Sequence, residues 1–189
     1  MSTVSGPFGL RAVNKAGGTP ASLSVTGTIT SGYNTAIGEG DAVKLVGGVL
    51  TRAAATGDSA VGIFMGVEYT DSNGRRQESN QWIANLTGTN IVAYYTLDPY
   101  ITYEIQSNAT VASTAIGSQY DLVSPGPANT TVGISGAMLD ISTGTTSANK
   151  LLRLIGLTPG ADNAFGDPFP IVLVQFSKHQ NVAIINAYA

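Results

Sequence analysis

Apolar residues recur at alternate positions in short runs along this chain, and clusters of Gly, Asn, Asp and Pro separate the runs. That period predicts strands rather than helices. "SLSVTGTI" (22–29) alternates, with Leu23 and Val25 on one face. "DAVKLV" (41–46) and "VLTRAA" (49–54) flank Gly47-Gly48, a pair that tolerates positive φ and predicts a tight hairpin. "SAVGIFMGVEY" (59–69) is the most apolar run, and it leads into Asn73-Gly74, the strongest turn signal in the chain. "QWIANL" and "TNIVAYYTL" follow. In "PYITYEIQS" (99–107) Tyr100, Thr102, Glu104 and Gln106 share one face, while Ile101, Tyr103 and Ile105 take the other, as in a half-buried strand. "KLLRLIGL" (150–157) and "FPIVLVQF" (169–176) are apolar runs of strand length. The best helical window, Ala12 to Ala21, is interrupted by Gly17, Gly18 and Pro20. The expected fold is therefore all-β, an antiparallel barrel or sandwich with long loops and little helix.

Two stretches share a layout. "TAIGEGDAVKL" (35–45) and "TAIGSQYDLVS" (114–124) both carry Thr-Ala-Ile-Gly followed by an Asp and a Val, which reads as two similarly built β-units, each opening with a turn into a strand. "SPGPANTT" (124–131) is the best internal boundary, and "TPGADNAFGDPFP" (158–170) is a long loop between core strands. We expect residues 1–20 to form an extended N-terminal arm. Residues 21–189 then form a β-rich domain, with a division into two β-units near 108–131.

Composition narrows the function classes. Charged residues are only 11% of the 189, against about a quarter in ordinary domains, so much of the surface is expected to be covered by partners. The net charge is −3 and the nine Lys and Arg are scattered, which leaves no basic stripe for nucleic acid. There is no cysteine for a disulfide or a thiolate metal site. No apolar run is long enough for a membrane helix, and the N-terminus lacks the charged-then-apolar layout of a signal peptide.

Catalytic chemistry finds few carriers. His179 is the only histidine, which excludes a His-based metal site, and we expect it at the surface or in a subunit contact. No Walker loop or nucleophile elbow is present. Glu68, Glu78 and Glu104 lie in or beside strands, where a pair for glycoside hydrolysis is conceivable but solvated strand faces are the plainer reading. Asp58, Asp71, Asp121 and Asp162 sit in turn-like contexts. The aromatic cluster Tyr94, Tyr95, Tyr100 and Tyr103 suits either an interface or core and cross-strand packing. No catalytic residue, metal ligand or cofactor site is expected.

"GPFGLRAVNKAGG" (6–18), "TAIGEGDAVKL", "GIFMGVEYTDSNG" and "LRLIGLTPGADNAFGDPFPIVLVQF" together resemble, in this order over most of the chain, a family of tailed-phage capsid decoration, or cement, proteins. "GDAVKL…GVLTRAAATGD" is also similar to the tulip-like β-unit of small phage head proteins, and Asp162, Asn163, Gly166 and Asp167 match the family's loop signature. The resemblance implies a non-enzymatic virion protein, made in the host cytoplasm, that binds the outer surface of the capsid. Its partners would be the major capsid protein and itself, as a homotrimer, with no nucleic acid and no membrane. In that setting residues 6–18 become a docking arm, with Pro7 keeping it extended, Phe8 and Leu10 as apolar anchors, and Arg11 and Lys15 pairing with capsid acids. The alternative is that residues 6–13 are an edge strand of the protein's own fold. Two other functions stay open: a tail, baseplate or minor head component, and a carbohydrate-binding β-protein using the tyrosines and Glu104.

Overall fold

The computed structural model describes residues 4–15, 24–54, 57–127, 131–146 and 150–182. Its strands in chain order are β1 (Arg11–Lys15), β2 (Ser24–Gly27), β3 (Ile37–Gly38), β4 (Ala42–Val46), β5 (Val49–Arg52), β6 (Gly62–Thr70) and β7 (Arg76–Ser79). They continue with β8 (Gln81–Trp82), β9 (Thr89–Thr96), β10 (Ile101–Gln106), β11 (Gln119–Val123), β12 (Met138–Thr145), β13 (Leu152–Leu157) and β14 (Ile171–Phe176). A single 3-10 turn at Ser113–Ala115 is the only helical element among the described residues.

All ladders between these strands are antiparallel. One sheet runs β1-β10-β14-β13-β11-β12, and a second runs β2-β9-β6-β4-β5 with β7 also on β6; β3 and β8 form a small third sheet. Neither large sheet closes on itself, so the all-β expectation resolves to a sandwich and not a barrel.

The runs that lacked clean alternation are buried on both faces. Ala42 and Ile63 point into a core with Leu10, Ile101, Tyr103, Ile105, Leu154, Val174 and Phe176, which joins the two large sheets. Their neighbours Val43 and Phe64 point the other way, into a second core with Ile37, Leu50, Trp82 and Tyr95. A strand in the middle of three layers needs apolar side chains on both sides, and this explains "AVGIFMGV". Trp82 is fully buried and donates its indole N–H to the Tyr33 carbonyl at 3.1 Å.

Turn chemistry follows the sequence closely. Gly47 and Gly48 close the β4–β5 hairpin with φ of 60° and 85°. The β6–β7 hairpin closes on Asp71, whose carboxylate accepts the N–H groups of Asn73 and Arg75, and Gly74 supplies the positive φ. The shared Thr-Ala-Ile-Gly layouts both lead into strands, but into different sheets. Ile37 of the first is fully buried, whereas Ile116 of the second is exposed. The changeover from one sheet to the other comes at the 97–100 turn between β9 and β10, ahead of the 108–131 stretch. Asp98 and Pro99 punctuate the chain there, and Asp98 accepts the Tyr100 N–H at 2.9 Å.

Over its described residues, 4–15, the N-terminal segment lies on the folded body and does not project from it. β1 crosses over to become the end strand of the first sheet, with Arg11 opposite Glu104 and Lys15 opposite Ile101. Leu10 is in the core, where burying a leucine contributes about 1.5–3 kcal/mol. Gln106 fastens the start of the segment, accepting the Gly6 N–H at 2.8 Å and donating to the Val4 carbonyl at 3.0 Å. Gly9 has φ of 70°, and a Cβ there would lie 2.5 Å from the Ser135 Cβ, so only glycine lets the chain pass Ser135 into β1. Gly17, Gly18 and Pro20 lie outside the described residues.

Candidate functional site

An apolar groove of about 350 Å³ opens where the two large sheets meet. One wall is Phe8 to Ala12, along the edge of β1; the other is Glu39, Gly40 and Ile134; the floor is Ile63 to Met65 of β6. Its position follows from a gap in the ladders. β4 pairs with β6 at Gly62 and Ile63, and β7 pairs with it only from Val67 on. Between these, Phe64 exchanges backbone bonds with Gly40 and Asp41 while pairing with Tyr95 of β9, and the β6–β9 register steps over Met65.

Met65 and Ile134 are therefore left 46% and 37% exposed, side by side with the half-buried ring of Phe8. The Arg11 guanidinium lies 5.0 Å from the centre of that ring and pairs with Glu104, whose carboxylate is nearly buried. A cation held on one side by a π-face and on the other by a carboxylate is fixed in place. Glu39 is exposed at the rim and forms no ion pair among the described residues. Its backbone is rigid, since its N–H donates to the Gly133 carbonyl and its own carbonyl accepts the Ser135 N–H, both at 2.9 Å.

Asp41 holds this wall in place. It has no solvent exposure, and its carboxylate accepts from Gly38 N (2.7 Å), Gly126 N (2.8 Å) and Ser135 Oγ (2.5 Å). Gly38 is local, three residues back, whereas Gly126 and Ser135 are brought to the carboxylate only by the tertiary fold. Burial pushes the Asp41 carboxyl above the usual range, against the pull of the three hydrogen bonds and of Arg52. The counterpart acid in the second layout, Asp121, sits inside β11 and pairs with Lys150 Nζ at 2.8 Å.

Of the proposed arm residues, Pro7 and Phe8 are half-buried, Leu10 is core, and Arg11 is committed to Glu104. Of these, Phe8, Leu10 and Arg11 line the groove, and the Lys15 side chain lies outside the described residues. The tyrosines do not form one face. Tyr95 and Tyr103 are buried in different cores, Tyr94 is half-buried and donates to Glu68 at 2.9 Å, and Tyr100 alone is exposed. Glu68 raises the Tyr94 hydroxyl above its ordinary value through that bond.

His179 is buried and not at the surface. It lies against the Phe176 ring in a short bridge to Ala60, and its Nδ1 accepts the Asn181 N–H. Burial pushes its pKa below the ordinary value. The loop signature is a set of staples: Asn163 donates to the Thr158 and Ile171 carbonyls and accepts the Ile171 N–H, and Asp167 accepts the Ala164 N–H. Glu68 and Glu78 face each other across the β6–β7 ladder with Arg76 between them, an arrangement suited to a neutralised surface and not to acid–base work. No group of three His, Asp or Glu able to hold a metal ion occurs among the described residues.

Sequence reasoning passed over Met65, Ile134 and Glu39. The only signal was a large apolar residue in a run where both faces already had core partners. No protein-family model, curated protein or solved structure matches the chain.

Proposed function

We propose that this protein is a structural virion component that binds the outer surface of a phage capsid and stabilises the shell by bridging neighbouring capsid subunits, acting as a homotrimer. The resemblance of its motifs to capsid decoration proteins supplies the partner class. The observation that carries the reading is the groove: a preformed apolar cleft with Met65 and Ile134 exposed beside the half-buried Phe8, in a chain whose charged content is 11%. Exposed apolar side chains gathered in one rigid cleft are a feature of binding surfaces. The docking element is thus a cleft built by the folded body, in place of the arm inferred from the sequence. Bridging would act through many modest contacts, each copy adding to the avidity of the lattice.

The test is co-sedimentation of the purified protein with capsids of the phage that carries its coding sequence, stripped of this protein. Saturable binding, followed by capsids that withstand higher temperature before releasing DNA, is the expected result. Capsids that neither bind it nor change in heat resistance would refute the proposal.

A further inference from the structure

We propose that the groove takes an extended partner strand, laid along the open edge of β1, that carries apolar side chains at alternate positions and a lysine or arginine opposite Glu39. The inference deepens the capsid-binding reading and rests on it for the origin of the strand, but its chemistry is argued from the cleft itself.

Three observations converge. β1 is the end strand of its sheet, and among the described residues no strand pairs with its outer side, although Leu10, just before it, donates its N–H to the Gly40 carbonyl at 2.8 Å and closes that end of the slot. Such an edge is a template for strand addition. Across the cleft, β6 has no ladder partner on that side between Ile63 and Val67 except the short contact from Gly40 and Asp41. The side chains that flank this slot, Phe8, Met65 and Ile134, are apolar, which suits the alternate side chains of an incoming strand.

Charge selects among extended segments. Arg11 is neutralised by Glu104, whereas Glu39 at the opposite rim has no counter-ion among the described residues. The slot therefore presents a net negative rim to its occupant, and a strand with a basic residue complements it while an acidic one is repelled.

The experiment measures binding of labelled nine-residue peptides of alternating leucine and threonine, with a central lysine in one and a central glutamate in the other, by fluorescence anisotropy. The lysine peptide is expected to bind about tenfold tighter than the glutamate peptide, and Glu39→Lys to reverse that order. Met65→Glu, at a position open to solvent, is expected to weaken the lysine peptide by about tenfold or more. Amide exchange at Arg11–Asn14 should slow when the peptide is bound. Equal binding of both peptides, or an order that Glu39→Lys leaves unchanged, overturns the proposal. So does a concentration-dependent self-association that Met65→Glu abolishes, which would give the groove to a second copy. Since these readouts involve no capsid, they can fail while capsid co-sedimentation succeeds, and the reverse.

Discussion

Replacing Asp41 tests whether the groove wall depends on one buried carboxylate. Asp41→Asn keeps the shape but turns an amide NH₂ toward one of the three donors, at Gly38, Gly126 or Ser135, all of which are buried. A buried donor left without its acceptor costs about 1–3 kcal/mol. The variant also escapes the cost of burying a charge, which offsets part of that loss. A net destabilisation of about 2 kcal/mol follows, equivalent to a fall in Tm of about 4–8 °C for a chain of this size. Urea titration with a far-UV circular dichroism signal reads it directly.

The pH dependence has a defined sign. Burial raises the folded-state carboxyl above its ordinary 3.8, so in the interval above 3.8 the folded protein binds more protons than the unfolded chain. Wild-type stability from this site is complete below 3.8 and falls as pH rises through the folded-state value. Asparagine does not titrate, so the gap between wild type and Asp41→Asn is widest in acid and narrows toward neutrality. A gap that widens as pH rises would mean that the three donors outweigh burial, and would refute the account of Asp41.

Other sites give independent outcomes. Leu10→Ala should cost about 2–5 kcal/mol while Phe8→Ala, at a half-buried groove position, costs less, as read by thermal denaturation. Equal losses would return Leu10 to the role of a docking residue. Gly62→Ala should prevent stable folding, with a loss on the order of 4 kcal/mol or more, because the new Cβ would sit 1.7 Å from the Thr96 carbonyl oxygen between β6 and β9; soluble expression and melting temperature report it. His179 is depressed below 6.5 by burial, so the unfolded chain binds its proton first and wild type loses stability as pH falls below 6.5. His179→Gln should flatten that part of the pH–stability curve, and an unchanged slope would place the titration elsewhere.

The apolar face of β10, the Gly47-Gly48 hairpin and the strand nature of most apolar runs could be read from the chain, because each depends on residues a few positions apart, but the expected open face of β10 is covered, with Glu104 and Gln106 both buried. The doubled burial of "AVGIFMGV" could not, since alternation vanishes when both faces are covered and only the second core around Trp82 shows why. The N-terminal segment shows the same limit. Its extended, apolar and basic character suits an arm or an edge strand equally, and the choice is made by Leu10 entering the core, by Glu104 receiving Arg11, and by Gln106 gripping the first residues. The groove lies furthest from anything legible in sequence. Its lining comes from residues 8–12, 39–40, 63–65 and 134, four segments with no common local pattern. Local period and turn chemistry set strands and hairpins, whereas a cleft exists only where long-range packing leaves a gap between ladders.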